Sequence, residues 1–221
     1  MATSEVQRKP TVRKLPALER RQQIIRVATD LFSAKGFEGT TTREIARAAG
    51  VSEAIIFRHF TTKEDLYAAI IDFLIQDCHE DFLVELQQAM TKKDDAAVFE
   101  TVARKFLEMH RKDPTLLRLL LFSGLEGHKL SQLFMETQVR PFYQLLSDYI
   151  ARRMKDGRFR KAAPMVLVRC FMGMVGNHSL ICVIFGDPFL RKSDQQMARE
   201  FAKMFLNGAL IQVSKKNQGR R

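Results

Sequence analysis

The chain has 221 residues and carries 36 Lys and Arg against 25 Asp and Glu, a net charge of +11. That length is enough for one or two domains with a buried core, and the basic surplus favours a polyanionic partner. Cys78, Cys170 and Cys182 lie far apart and lack the spacing of a disulfide framework or a zinc site.

The N-terminal stretch, residues 1–17, is polar and holds four basic residues and two prolines. Because it has no apolar segment, it predicts a flexible basic arm rather than a signal peptide. A helix is predicted from about Leu18 to Lys35, since Ile24, Ala28 and Phe32 recur at helical spacing and Gly36 can end it.

Residues 41–60 have the punctuation of two short helices joined by a tight turn. Thr41 and Glu44 form a capping box, Gly50 supplies the positive φ that ends the first helix, and Ser52 is an N-cap for the second. A further capping box, Thr61 with Glu64, predicts the next helix start. This pattern predicts a helix-turn-helix, which can place its second helix in the major groove of DNA. The alternative is a generic corner in an all-α protein.

The charge distribution favours the DNA-binding interpretation. Residues 1–63 contain twelve basic and six acidic residues, so more than half of the surplus lies in under a third of the chain. Charge alone is weak evidence, because basic residues also serve solubility.

The rest of the chain predicts helices only. A long helix is predicted over 62–90, further helices over about 95–112, 115–122 and 130–155, and two final helices over 162–185 and 193–213. Pro141 should kink or split the fourth of these. The apolar run 165–185 contains Arg169, Asn177 and His178, which favours a buried core helix over a membrane span. The fold class is all-α.

In the order in which they occur, the motifs resemble the TetR family of one-component transcriptional regulators. The matching stretches are LFSAKGF at 31–37, TTTREIA at 40–46, AGVS at 49–52, FRHF at 57–60 and TKEDL at 62–66. The resemblance implies an N-terminal three-helix DNA-binding head (18–78), joined by a long helix to a C-terminal helical domain (79–215) that binds a ligand and dimerises. It also implies a homodimer acting on a double-stranded DNA operator. The family often has Tyr at the position of Phe57, and its hydroxyl typically bonds a DNA phosphate. Phe57 keeps the aromatic ring but lacks that hydroxyl donor.

The candidate DNA-binding residues lie on the second helix of the motif and around the helix starts. With Ile56 and Phe60 facing the core, Ile55 either packs on a thymine methyl or belongs to the core of a rotated helix. Glu53 either accepts from a cytosine amino group or offsets Arg43 and Arg47. Arg58 is expected on a phosphate, and helix starts bind phosphate naturally. The full set is Thr41, Thr42, Arg43, Ser52, Glu53, Ala54, Ile55, Phe57, Arg58, His59 and Lys63.

The candidate effector-binding residues come from the C-terminal half. Asn177 and His178 interrupt an apolar helix and need polar partners if buried, from a ligand or across a dimer interface. The set is Phe106, Met109, His110, Leu120, Phe134, Phe171, Met174, Asn177 and His178. Such apolar stripes also occur in ordinary cores, and only the family resemblance favours a pocket. His178 and Cys182 lack a third ligand, so no metal or cofactor is expected.

The sequence has no phosphate-binding glycine loop, no G-x-S-x-G motif and no paired metal signature, so no enzyme is predicted. The favoured function is a cytoplasmic, dimeric repressor that a small, largely apolar effector of unknown identity releases from its operator. The alternative is a DNA-binding regulator of the same fold controlled by a protein partner.

Overall fold

The structure, a computed structural model, describes residues 15–76, 80–186 and 192–210. These residues are almost entirely helical, as predicted; a single bridge pairs Phe159 with Leu210. The helices are α1 (Ala17–Lys35), α2 (Thr42–Ala48), α3 (Glu53–His59), α4 (Lys63–Gln76), α5 (Glu80–Thr91), α6 (Asp95–Lys112), α7 (Thr115–Leu125), α8 (Lys129–Phe134), α9 (Arg140–Lys155), α10 (Pro164–Ile184) and α11 (Asp194–Ala209).

Helices α1 to α4 form the N-terminal head around one apolar core. Ile24 and Phe32 of α1, Ile45 of α2 and Ile56 of α3 are each at most 1% exposed. Gly36 and Gly50 have φ values of +75° and +65°, so the glycines predicted to end α1 and α2 both adopt the positive φ that glycine tolerates.

Two capping boxes fix the helix starts in the head. The Thr41 hydroxyl accepts from the Glu44 amide, and the Glu44 carboxylate accepts from the Thr41 amide, as predicted. The second box was predicted one residue too early. Thr62 and Asp65 exchange the two bonds, each at 3.0 Å, because α4 begins at Lys63 and Thr62 therefore occupies the N-cap.

The predicted long helix over 62–90 is described as α4 and α5, which cover most of it. Residues 77–79 between them, with Cys78 and the predicted domain boundary at 78/79, lie outside the described residues. Residues 1–14 of the predicted arm and 211–215 of the C-terminal domain lie outside them as well.

Helix α6 is the central helix of the C-terminal half and packs against α5, α10 and α11. Phe99 of α6 contacts Phe171 of α10 and Phe205 of α11, with ring centroids 4.9 Å and 4.6 Å apart. Pro141 has the predicted effect: a π-helical turn, Met135–Val139, separates α8 from α9, and the proline stands in the first turn of α9.

Helix α7 joins the two halves. Its Leu116 and Leu119 are buried within the core of the head, although the sequence assigns them to the C-terminal domain. The Tyr67 hydroxyl donates to the Leu119 carbonyl at 2.9 Å, and the Glu126 carboxylate accepts from the Phe37 amide at 3.1 Å. Helix α7 therefore contributes to the core of the head and contacts α4 within it.

Helix α10 is not the fully buried core helix predicted for this run. It is the one helix in the described ranges that is long and apolar enough to cross a membrane, and only 28% of its most apolar stretch is buried. Val168, Phe171 and Val175 face the core, whereas Val166 and Ile181 are 56% and 36% exposed. One apolar face of α10 thus stands uncovered in the protomer.

Candidate nucleic-acid interface and effector region

Helix α3 presents a solvent-facing side on a rigid base. Ile56 and the residue that follows the helix, Phe60, are 1% and 4% exposed and anchor α3 in the head core, as predicted. On the opposite side Ala54 and Arg58 are exposed, and Phe57 is 48% exposed. An exposed aromatic ring beside an exposed arginine is an arrangement suited to contact with a sugar-phosphate backbone.

The start of α3 carries a hydroxyl that is not used for capping. Ser52 occupies the N-cap position, but its side chain makes no capping hydrogen bond. Its exposed hydroxyl is therefore available to a ligand at the end of the helix that points its amides outward.

Glu53 is engaged within the head. The Thr42 hydroxyl donates to its carboxylate at 2.7 Å, and the Arg43 guanidinium lies 3.9 Å from it. Thr42 and Glu53 thereby tie α2 to α3, which favours the role of Glu53 in offsetting nearby arginines over that of reading a cytosine. The Arg43 side chain stays 88% exposed and can reach beyond the head.

Lys63 is directed into the head. Its ammonium group donates to the Phe37 carbonyl at 2.5 Å and lies 4.0 Å from the centre of the Phe37 ring. This geometry gives Lys63 a positioning role for the turn after α1, and a phosphate contact would require it to leave these partners. Thr41 is similarly occupied in its capping box with Glu44.

Ile55 and His59 stand between core and solvent. Ile55 is half-buried: one part of its side chain packs against the head core, and the rest is accessible to a ligand such as DNA. Burial, followed by the charges of Arg58, Arg21 and Arg20, lowers the pKa of His59 below its ordinary 6.5. The sequence reasoning missed Arg21, whose guanidinium lies 4.9 Å from the Phe60 ring and adds α1 to this basic rim. Its position one turn before the buried Ile24, on the same side of α1, was the available signal.

The nine effector candidates do not gather in one place. Leu120 and Phe134 pack on the head core, whereas Phe106, Phe171 and Met174 pack in the C-terminal core. Asn177 is exposed on α10, so it is not an interior polar group of the protomer. His178 contacts Cys182, with 3.6 Å between its Nε2 and the sulfur, and its ring lies 5.4 Å from that of Phe201.

Two buried side-chain nitrogen or oxygen atoms remain without a hydrogen-bond partner in the described part of the chain. They are the Nδ1 atom of His110, on α6, and the hydroxyl oxygen of Ser179, on α10. Ser179 is 1% exposed, and burial lowers the pKa of His110. Met109, beside His110 in sequence, is half-buried. Because α6 packs on α10, these atoms are the polar groups of this core with unmet hydrogen-bonding capacity.

A further concavity in the structure lies away from these residues. It is an open groove of about 630 Å³ on the outer side of α5, lined by Leu83, Val84, Leu86, Gln87, Gln88, Thr91, Lys92 and, from α9, Leu145. None of the predicted effector residues lines it. Leu83 and Val84, on this groove, are 43% and 58% exposed, which was not anticipated from the sequence.

Known proteins of similar sequence agree with the helix-turn-helix described above. A family model for bacterial regulatory proteins of the tetR family matches residues 24–70. The nucleoid occlusion factor SlmA of Pasteurella multocida is 36% identical over 158 residues, covering 68% of this chain and 74% of that protein. SlmA of Vibrio campbellii is 28% identical over 166 residues, covering 71% and 80%.

Solved structures share the fold. AibR in complex with isovaleryl coenzyme A and operator DNA matches 84% of this chain and 97% of its own, with a TM-score of 0.64 and 21% identity. The ketosteroid regulator KstR2 of Mycobacterium tuberculosis matches 87% and 96%, with a TM-score of 0.62 and 16% identity. At these identities the likeness concerns the fold alone. Together with the head described above and the SlmA relatives, it establishes that the chain belongs to the TetR family of bacterial regulatory proteins.

Proposed function

We propose that this protein is a dimeric regulator that binds a specific DNA operator through α3. The observation that carries the proposal is the solvent-facing side of α3, held by a buried base and bearing Ser52, Ala54, Phe57 and Arg58. Arg43 and Arg58 contact phosphates, Ser52 donates to one, and Ala54 with Ile55 faces the bases. Because the chromosome of a bacterium lies in the cytoplasm, an operator-binding protein of this family is expected to act there.

Within this interface we assign positioning roles to Thr41, Thr42, Glu53 and Lys63, because their polar groups already have partners in the head. Phe57 packs its ring along the backbone without a hydroxyl to donate. His59 lies at the rim, where its protonated form would add a charge.

The test is a duplex-binding titration by fluorescence anisotropy, with an operator first selected from a random library. Arg58→Ala and Ser52→Ala should weaken binding, whereas Arg26→Ala, an exposed arginine on α1, is the matched control. Equal affinities for all four proteins would refute the assignment of α3.

The dimer follows from the uncovered apolar face of the last two helices. Val166, Ile181 and, at the end of α10, Phe185 are 56%, 36% and 73% exposed, and Met204 of α11 is 65% exposed. A two-fold arrangement buries this face against its own copy and supplies two heads for a palindromic operator. Light scattering should give twice the mass of the chain. Ile181→Asp, which buries a charge in the interface, should give the monomer.

For the effector we propose a small, largely apolar molecule with one polar group, bound between α6 and α10. The support is the pair of buried unpartnered atoms of His110 and Ser179, which a ligand would satisfy. Such a ligand would release the operator, making the protein a repressor. A thermal-shift screen should yield compounds that stabilise the wild-type protein and stabilise Ser179→Ala less, while a hit unaffected by Ser179→Ala binds elsewhere.

Control by a protein partner is the second candidate. The exposed apolar residues Leu83 and Val84 on the α5 groove favour it. The similar proteins are named nucleoid occlusion factors, a name that refers to no small-molecule effector. Val84→Asp should then abolish regulation of an operator–reporter fusion in cells while operator affinity in vitro stays unchanged. Regulation retained by Val84→Asp and lost by Ser179→Ala would decide for the small ligand.

A further inference from the structure

The positive charge of this chain is concentrated away from the DNA-binding head. Residues 1–79 hold twelve basic and ten acidic residues, a net charge of +2, because the four acids between 64 and 77 offset the excess noted for 1–63. Residues 80–210 hold twenty basic and fifteen acidic residues, a net charge of +5, and residues 211–221 hold four basic and no acidic ones. Nine of the eleven surplus charges therefore lie beyond residue 79.

Within residues 80–210 the surplus comes from one place. The segments 92–95 and 152–161 contain eight basic and three acidic residues, which accounts for the whole +5. Contacts hold these segments together: Lys93 lies 3.0 Å from Asp156, and Arg153 lies 2.7 Å from Asp95. The Arg160 amide donates to the Ala209 carbonyl, so the end of α11 adjoins them. We call the surface of segments 92–95 and 152–161 the distal tip.

The cations of the distal tip are largely unneutralised. Of the three acids, Asp95 is engaged by Arg153 and Arg158, and Asp156 by Arg153 and Lys93. The third, Asp94, accepts from the Ala97 amide as the N-cap of α6. Five exposed basic residues have no ion-pair partner in the described part of the chain: Lys92, Arg152, Lys155, Arg160 and Lys161. A shallow pocket of about 220 Å³ is lined by four of the cations, Lys93, Arg152, Arg153 and Lys155, together with Asp156, Met90 and Tyr149. Like charges gathered so closely repel one another unless a polyanion covers them.

The distal tip is separate from the head. Helix α6 begins at the tip with Asp95 and ends at Lys112, just before α7, which packs on the head. Eighteen helical residues span about 27 Å at 1.5 Å per residue. A duplex bound by α3 on the head is therefore not expected to reach the distal tip, which lies at the other end of α6.

We propose that the distal tip binds the phosphate backbone of a second DNA duplex, so that the protein bridges two DNA segments. The tip offers Lys and Arg on a shallow surface, the composition of sequence-independent phosphate contacts. Met154 and Phe159, the large apolar residues of these segments, are half-buried and buried, so no side chain is placed to insert into a bilayer. An acidic protein partner would ordinarily use an exposed aromatic or aliphatic anchor, whereas the apolar residues that line the tip pocket, Met90 and Tyr149, are only 6% and 2% exposed.

The test is a bridging assay with the full chain. Protein is loaded onto a long bead-bound duplex, and a short fluorescent duplex of unrelated sequence is titrated at several salt concentrations. The tip variant is Arg152→Gln, Lys155→Gln and Lys161→Gln. The control variant, Lys112→Gln, Arg118→Gln and Arg140→Gln, removes the same charge from exposed residues elsewhere that form no ion pair with any other described residue. Operator affinity and unfolding temperature are measured for both variants.

Wild type and control variant should retain the short duplex equally well, and the tip variant should bind it much more weakly at low salt. The slope of log affinity against log salt for the second duplex should shrink by about 2.7 for three lost contacts, while the tip variant binds a single operator duplex normally. Equal retention by both variants overturns the proposal. Binding to phosphatidylglycerol vesicles is measured for the same proteins. If the tip variant loses vesicle binding but still bridges two duplexes, the proposal is overturned and the tip is assigned to an anionic membrane. Failure of operator binding in the wild type would instead refute the proposed function.

Discussion

The buried ion pair between Arg153 and Asp95 gives a sharp prediction about stability. Arg153 and Asp95 are 8% and 6% exposed, and the guanidinium donates to both carboxylate oxygens, at 2.7 Å and 3.0 Å. The Tyr149 hydroxyl donates a third bond to the same carboxylate at 2.7 Å. This network fastens the start of α6 to the end of α9.

Replacing Arg153 with Met leaves the Asp95 charge buried with the Tyr149 hydrogen bond and with the Arg158 guanidinium, which is 3.6 Å away and 53% exposed. Breaking a buried pair in this way costs about 3–5 kcal/mol, so the free energy of unfolding should fall by that amount. Arg152→Met, a neighbouring exposed arginine, should change it by less than about 0.5 kcal/mol. Urea unfolding followed by circular dichroism at one fixed protein concentration measures both, since dimerisation makes stability depend on concentration.

The same network predicts a pH dependence. Burial would raise the pKa of Asp95, but the hydrogen bonds from Arg153 and Tyr149 outweigh it and hold the pKa below its ordinary 3.8. Its stabilising contribution is therefore complete above pH 3.8 and is lost as the pH falls from there through the folded-state value. Arg153→Met should lose less stability than wild type over that range. The reasoning is refuted if Arg153→Met lowers the free energy of unfolding by less than about 1 kcal/mol at neutral pH. It is also refuted if wild type and Arg153→Met lose the same stability on acidification below pH 3.8.

Three further outcomes are expected. Gly50→Ala should destabilise the head by about 1–2 kcal/mol in thermal unfolding, because an alanine must adopt φ near +65°, and an unchanged midpoint would contradict this. Tyr67→Phe removes the bond to Leu119 and should cost about 1 kcal/mol, with hydrogen exchange rising at the contact of α4 with α7. Operator affinity should increase as pH falls below 6.5, since protonation adds a charge to His59, and His59→Gln should remove that increment.

Much of the head was predictable from local chemistry. Thr41, Glu44 and Gly50 act through bonds and torsions within a few residues, and sequence spacing alone fixes these. The one-residue error at Thr62 arose because Thr61 and Thr62 offer overlapping capping patterns with Glu64 and Asp65, and only packing of the helix chooses between them. The identity of Ile56 and Phe60 as core residues followed from their spacing.

The side chains whose partners lie far along the chain were not predictable. Lys63 was expected on a phosphate, but its partner is the Phe37 carbonyl, 26 residues away. Leu116 and Leu119 were assigned to the C-terminal domain, yet they complete the core of the head. The exposure of Asn177 depends on the rotation of α10, which its nearly uniform apolar composition does not specify. Tertiary packing decides each of these.

The central claim is sequence-specific DNA recognition by α3 in a symmetric dimer. The most direct measurement is selection of bound duplexes from a random library by the wild-type protein, beside Arg58→Ala and the control Arg26→Ala. We predict enrichment of a palindrome whose half-sites lie about one or two helical turns apart, roughly 10 base pairs or a multiple. Arg26→Ala should select the same palindrome, and Arg58→Ala should select it only weakly. No enriched sequence, or the same enrichment with all three proteins, would contradict the account.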